Sequence, residues 1–279
     1  MTQPPTLTDR AALARNRARA RRMPGHDAAL FLHRLARSDL QERLNEVNRT
    51  FTSAAIVSGF PDFWRDLRPD ARFVPDDEVL DLAVGAHDLV IHAMSLHWAN
   101  DPLGQLVQCR RALRPDGLLL AVLPGGRSLQ ELRSALAEAE TEVTGGLSPR
   151  VLPMAEIRDL GALLQRAGLA LPVADSLVQR VDYPDVPTLL ADLRASGEAN
   201  ALAARQRRFT GRAVLTRATE LYARSFATPS GRIEATAELV FLTGWAPDDS
   251  QQKPLRPGSA KARLADALGV PEAPLPKDG

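Results

Sequence analysis

Cysteine is almost missing: Cys109 is the only one in 279 residues. A single thiol excludes an internal disulfide and any metal cluster built on cysteine, and it suits a reducing compartment. Net charge is nearly missing too, since 35 Lys and Arg against 34 Asp and Glu leave +1. No global field therefore draws the chain to nucleic acid or to an anionic membrane. Long apolar runs are missing, with none of about 18 residues, so no transmembrane segment is expected. The first residues also lack the apolar core of a secretory signal, and Asp9 interrupts what would otherwise pass for an organelle-targeting peptide. The expected location is cytoplasmic. Five histidines, at 26, 33, 87, 92 and 97, include no i, i+4 pair, so no zinc site is expected. The last shortage is local: "SAAIVSGFPDFW", residues 53–64, stands where a cofactor-binding strand and turn belong, yet it holds one glycine, Gly59.

What is present is bracketed by two polar ends. Residues 1–27 read as a basic N-terminal tail that becomes helix. Within it "RNRARARR", residues 15–22, has five arginines and no acid, the pattern of a solvated face. Residues 246–279 read as a polar, proline-rich tail with one short helix near Ala260–Leu268. Between them one domain, 28–245, is long enough to bury a full core. Its start, 28–52, is a helical extension: Leu30, Phe31, Leu35, Leu40, Leu44 and Val47 recur at helical spacing, with a break expected around Ser38 and Asp39.

From residue 54 the period changes. "AAIV" (54–57), "ARFV" (71–74), "HDLVIHAM" (87–94) and "GLLLAVL" (117–123) are short apolar runs bounded by Gly, Pro or Asp, as buried parallel strands are. Between the last two, "DPLGQLVQCRRALRPDG" carries one apolar face of Leu103, Leu106, Val107 and Leu113. Strand, helix and strand at that spacing make a right-handed βαβ unit. Further on, "SLQELRSALAEAETEV", "MAEIRDLGALLQRAG", "DVPTLLADLRASGEAN" and "RAVLTRATELYARSFA" read as helices. "LALPVADSLVQRVDYP" reads as one or two strands, and "RIEATAELVFLTGWAP" as a late antiparallel one.

Open α/β sheets bind ligands outside the carboxyl ends of their strands. That singles out Ser58, Gly59 and Phe60, then "PDDE" (75–78), then "MSLHWAND" (94–101). His97 suits acid–base chemistry and Trp98 the lining of an adenine or substrate pocket; a packed structural pair reads equally well. "HDLVIHAMSLHWANDP" followed by "RRALRPDGLLLAV" resembles the fourth strand, helix and fifth strand of class I S-adenosylmethionine-dependent methyltransferases. "GGRSLQELRSALAEAETEVTGGLSPR", "RDLGALLQRAG", "GEAN" and "LTGWAPDDSQQKPLRPGSA" resemble, more narrowly, the methyltransferase-like assembly factors of respiratory complex I and their alphaproteobacterial relatives.

The resemblance implies a shortened Rossmann-like methyltransferase sheet, mostly parallel, with helices on both faces. It also implies S-adenosylmethionine as cofactor and a protein substrate or complex I subunit as partner. Carried onto this chain, the cofactor-binding positions are Ser58, Gly59, Asp76, Asp77, Ser95, Leu96, His97 and Trp98. Two departures stand out. The family's turn is D-x-G-x-G-x-G, because glycine lets the backbone close on the cofactor; here Gly59 alone remains, and Pro61 removes a donor. Ile56 to Asp88 spans only 32 positions, too few for two strand–helix units and a third strand. Matching backwards from "HDLV" puts Asp76 and Asp77 at the third-strand acidic position that faces the adenine. Two functions stay open: a methyltransferase acting on a protein, or a non-catalytic assembly module, a pseudoenzyme, whose old pocket and basic helix hold a partner. His92, His97 and Asp101 have the composition of a two-histidine, one-carboxylate iron site, relevant because the mitochondrial relative is credited with arginine hydroxylation. His92 lies inside a strand, however, and no metal is expected. "GGLSPR" reads as an anion nest with Arg150 or as a helix stop.

Overall fold

The computed structural model describes residues 6–252. Residues up to Pro247 form one compact unit, and the second unit, Asp248–Gly279, is described only as far as residue 252. The helix expected near Ala260–Leu268 lies outside the described residues.

In chain order the elements are α1 (Arg10–Ala20), α2 (His26–Ala29), α3 (Phe31–Glu46), β1 (Ala54–Val57), α4 (Pro61–Trp64), β2 (Arg72–Val74) and β3 (His87–Ala93). After a 3-10 turn at Leu96–Trp98 come α5 (Pro102–Ala112), β4 (Leu113–Pro124), α6 (Gln130–Thr144), α7 (Ile157–Arg166), β5 (Ala170–Tyr183), α8 (Val186–Ala195), α9 (Arg212–Phe226) and β6 (Ile233–Trp245). The six strands make one sheet in the order β2-β1-β3-β4-β6-β5. β2, β1, β3 and β4 run parallel, while β6 is antiparallel to both neighbours. The expectation of a mostly parallel sheet with a late antiparallel strand agrees with this.

Alternation along the strands sorts side chains onto two faces. Ala55, Val57, Val90, Leu119 and Ala121 pack with Leu106 and Cys109 of α5 and with Leu160 and Leu164 of α7. Ile56, Leu89, Ile91, Leu120 and Phe241 pack on the other face with Ala36 and Leu40 of α3 and with Trp64. Helices thus cover both faces, which is why the central strands are apolar throughout.

Several expectations need adjusting. The break placed around Ser38 and Asp39 falls instead at Leu30, between α2 and α3. Asp39 sits mid-helix as the partner of Arg43, four residues on, so its carboxylate adds to the helix rather than capping a new one. "LALPVADSLVQRVDYP" is a single strand, β5, with a register shift between Ala170 and Val173. "ARFV", matched by sequence to a third strand, hydrogen-bonds directly to β1 through Ala55↔Arg72, Ile56↔Phe73 and Val57↔Val74. It therefore occupies the place beside the first strand, and the sheet ends there. Only the one-turn α4 bridges β1 to β2. The basic stretch 15–22 divides: Arg15, Arg19, Arg21 and Arg22 are exposed, as a solvated face requires, but Arg17 is buried.

Candidate functional site

β1 enters the site through a tight turn. Ser58 keeps the sheet's pairing one residue further, its N–H donating to the Val74 carbonyl at 3.0 Å, and its Oγ accepts from the Phe60 N–H at 3.1 Å. Pro61 then starts α4, where a missing N–H costs nothing. Gly59, between them, faces an arginine from far upstream. A Cβ built on Gly59 would lie 2.2 Å from Cζ of Arg17, so only glycine allows this approach.

Arg17 reaches the turn because α1 lies across the carboxyl ends of the strands. Ala12 and Leu13 of α1 pack with Trp98, Leu152, Ala201 and Leu202. Asp9 caps α1 by accepting from Ala12 N at 2.9 Å, and its own N–H donates to the Ala201 carbonyl at 2.8 Å. Nη1 of Arg17 sits 2.8 and 2.9 Å from the two carboxylate oxygens of Asp76, just past β2. Arg10 donates to the Asp76 carbonyl, and its Nη1 is 3.5 Å from the carboxylate. Arg17 is 6% exposed and Asp76 4%, so this ion pair is shielded from water. Burial alone would favour neutral Asp76, but Arg17 and then Arg10 hold its carboxyl below the usual range. The Phe60 ring lies 5.8 Å from the Arg17 guanidinium and 5.1 Å from that of Arg21, and Arg21 donates to the Gly59 carbonyl at 2.8 Å.

Past β3 the chain turns at Met94, φ 50°, into the 3-10 turn. There Trp98 Nε1 donates to Glu198 at 2.9 Å, and His97 Nε2 lies 3.2 Å from the same oxygen. Glu198 follows Gly197, whose φ of +87° and whose 2.8 Å clearance between a built Cβ and Phe60 both demand glycine. Burial opposes ionisation of Glu198, yet His97 and Arg17 keep its carboxyl below the usual range. Glu198 also lines a cavity of about 60 Å³ whose wall is mostly apolar, with His33, Tyr183 and Asp192 contributing. His33 is buried and its Nδ1 has no hydrogen bond among the described residues; burial pushes its pKa down to about 4.

Of the residues singled out by sequence, Gly59 and Asp76 meet at Arg17, with Ser58 next to Gly59 and bonded to Val74 and Phe60, and His97 and Trp98 meet at Glu198. Asp77 stands at the edge of this group: its largely exposed carboxylate lies 3.8 Å from Nη2 of Arg10, and its carbonyl accepts from Gln105 at 2.9 Å. Ser95 and Leu96 are buried in the wall beneath. The three iron candidates are separately engaged. His92 Nε2 donates to Gln105 at 2.7 Å, His97 pairs with Glu198, and Asp101 caps α5 through Gly104 N at 2.7 Å. Among the described residues no group of three His, Cys, Asp or Glu is disposed to hold a metal. Arg150 is likewise taken, by Glu140 at 2.7 Å and by Thr210, so "GGLSPR" ends a helix rather than forming an anion nest. Sequence reasoning missed Arg17, Arg10 and Glu198. A signal existed for two of them: the acid-free run holds Arg17, and "GEAN" holds Gly197 and Glu198.

S-adenosylmethionine can be tested against these residues. In this fold the cofactor runs beside the first turn and is held by an acid at the end of the next strand. Here the guanidinium of Arg17 fills the space beside Gly59 and neutralises Asp76. With α1 in place, the residues do not fit the cofactor in that pose.

A parallel sheet finished by an antiparallel strand, wrapped by helices on both faces, with a polar site at the carboxyl ends, defines a class I methyltransferase-type α/β protein. Known proteins agree. A family described as "Methyltransferase domain" matches residues 30–121. YcgJ from Bacillus subtilis shares the fold at a TM-score of 0.50 with 10% identity, over 77% of this chain and 100% of that one. The zebrafish protein "Arginine-hydroxylase NDUFAF5, mitochondrial" is 33% identical over 232 residues, 82% of this chain and 72% of that protein. A malonyl-[acyl-carrier protein] O-methyltransferase from Laribacter hongkongensis is 35% identical over 193 residues, 68% and 62% of the two chains. The chain belongs to the NDUFAF5 family. It spans only 57% of the human member and 45% of the Dictyostelium one.

Proposed function

We propose that this chain serves respiratory complex I assembly as a methyltransferase-like protein that engages a protein partner at the carboxyl ends of β1–β3, the glycine-poor turn having given up the usual cofactor pose. The observation that carries this reading is the buried guanidinium of Arg17 over Gly59 and against Asp76. Two carboxylates, Asp76 and Glu198, and the Phe60 ring set around one guanidinium are chemistry suited to an arginine side chain. The relatives' printed name, arginine hydroxylase, supports an arginine of the partner as the group recognised when α1 yields its place. Site of action is then the cytoplasmic side, where a complex I subunit is met before assembly.

Calorimetric titration of the full chain tests this. S-adenosylmethionine is expected to bind more weakly than about 100 µM, roughly −5.5 kcal/mol; a dissociation constant near 1 µM would overturn the reading. A second reading, methyl transfer with S-adenosylmethionine held differently, is favoured by the methyltransferase match over residues 30–121. It calls for tight binding of the cofactor by the unaltered chain. If only Arg17→Ala binds it, the pocket persists beneath α1 and the first reading stands for the resting protein.

A further inference from the structure

Beside the Arg17 site the fold leaves a space that this site does not use. The cavity of about 60 Å³ lies at the carboxyl ends of β3 and β4, where Met94 and Pro124 stand, and α3 and α8 cover it with Leu32, Leu189 and Leu193. Its volume exceeds what one water needs. Four titratable groups interrupt the hydrocarbon wall: His33, Tyr183, Asp192 and Glu198.

Asp192 lacks a counter-charge. Its carboxylate is half-buried and accepts from the Tyr183 hydroxyl at 2.7 Å, yet it makes no ion pair among the described residues. Burial pushes its pKa up, and the Tyr183 hydrogen bond opposes this without a cation's help. Glu198 adds a second carboxylate, held ionised by His97 and Arg17. His33 completes the wall. It is 3% exposed, its ring is wedged among Phe60, Phe63 and Trp64 at centroid distances of 5.5 to 5.9 Å, and its Nδ1 has no hydrogen bond among the described residues. With its pKa pushed down to about 4 by burial, the ring is neutral at pH 7 and keeps one nitrogen as an acceptor.

Two carboxylates repel an anionic guest. A purely apolar one would leave the Asp192 charge and the His33 nitrogen without partners. A cation on an aliphatic stem answers both, giving N–H groups to the acceptors while its methylenes lie against Leu189 and Leu193. A planar guanidinium offers more N–H donors, in a fixed fork, than an ammonium does, which suits acceptors drawn from α3, α8 and the loop after it. We propose that Asp192, Glu198 and His33 form a pocket for a guanidinium carried on an aliphatic stem, either a free small molecule or the tip of a partner's side chain. The pocket goes beyond the reading of the Arg17 site, since α1 stays in place and only Glu198 is shared.

An NMR titration of the full chain with ethylguanidinium at fixed ionic strength tests it. The ring resonances of His33 should move, with a dissociation constant on the order of millimolar, and those of His87, at the opposite end of β3, should not. Ethylammonium should bind several-fold more weakly, and propanol should leave His33 unmoved. Asp192→Asn should weaken ethylguanidinium about ten- to a hundred-fold. Ala235→Leu, which fills the cavity and keeps both carboxylates, should abolish binding, so either variant alone decides the matter. N-acetylarginine methylamide separates the two sources: competition with ethylguanidinium marks a side-chain guest, and failure to compete marks a free small molecule. A still His33, equal binding of propanol, or affinity that survives either variant would overturn the proposal. So would binding that appears only in Arg17→Ala, which would move the guest into the Arg17 cage. Tight binding of S-adenosylmethionine would bear on the Arg17 site and leave this pocket standing.

Discussion

Two arginine-rich stretches of nearly the same composition meet opposite fates. In residues 15–22 one guanidinium, Arg17, is taken out of water into a cage of Asp76, Phe60 and Gly59. In residues 205–212 the guanidinium groups of Arg207, Arg208 and Arg212 stay in water around a naked phenylalanine. Charge density does not separate them. Available partners do: α1 crosses the end of a parallel sheet where the chain has just placed an acid, whereas 199–219 and the adjoining loop hold no acid at all. A buried charge must be paired, and an unpaired one must remain hydrated.

Breaking the buried side should cost the most. Asp76→Ala would strip Arg17 of its hydrogen-bonded carboxylate in a shielded site, leaving only the charge of Glu198 to act on it, and a loss of about 3–5 kcal/mol is expected in urea unfolding. Replacing both partners together, Asp76→Leu with Arg17→Met, should restore most of it, since the desolvation penalty vanishes with the charges. A smaller effect sharpens the close approach. Gly59→Ala should destabilise by about 1–3 kcal/mol through the clash with the guanidinium, and it should be nearly neutral in an Arg17→Ala background. A unit coupling in that double-mutant cycle identifies the contact; additivity would show that Arg17 does not fill the turn.

Acid should also act on the buried side. His33 and His92 are held near pKa 4 by burial, below the ordinary 6.5. The unfolded chain therefore binds protons that the folded one refuses. Stability from these two is complete above pH 6.5 and is lost as the pH falls toward 4, by about 1.4 kcal/mol per pH unit for each ring. Substituting His92 by Gln should flatten that part of a melting-temperature profile. The smallest effect belongs to the solvated arginines. Arg19→Ala, one turn from nothing but Asn16 at 3.1 Å, should shift stability by less than about 0.5 kcal/mol, a sharp contrast with its neighbour two residues earlier.

How legible was this in the chain itself? Strands β1, β3 and β4 could be placed from short apolar runs between breakers, because a strand buried on both faces has to be apolar at every position, and β6 from its alternation. α6 and α9 could be placed from their 3.6-residue period. The shortened segment after β1 was legible as too few residues for another unit. Its consequence was not: nothing in "ARFV" says that it pairs with β1 itself, since parallel pairing leaves no local mark. Ser58, Gly59 and Asp76 were singled out because strand ends are where such sheets bind, and Gly59 and Asp76 lie against Arg17. Asp77 and Leu96 came with them by adjacency; Asp77 is largely exposed beside Arg10 and Leu96 is buried in the core. Arg17 was missed because its partner lies 59 residues away, beyond any pattern a window can hold.

The residue order by itself determined the class of fold, the single thiol, the near-zero net charge and the scarcity of glycine at the first turn, all properties of composition and local period. Only the tertiary structure decided which arginine of five would be buried, that Glu198 would gather His97 and Trp98, and that Phe209 would be left outside. Those outcomes depend on which distant segments meet, and a charge or an aromatic ring has no fixed cost until its surroundings settle whether water, a counter-ion or packed side chains lie against it.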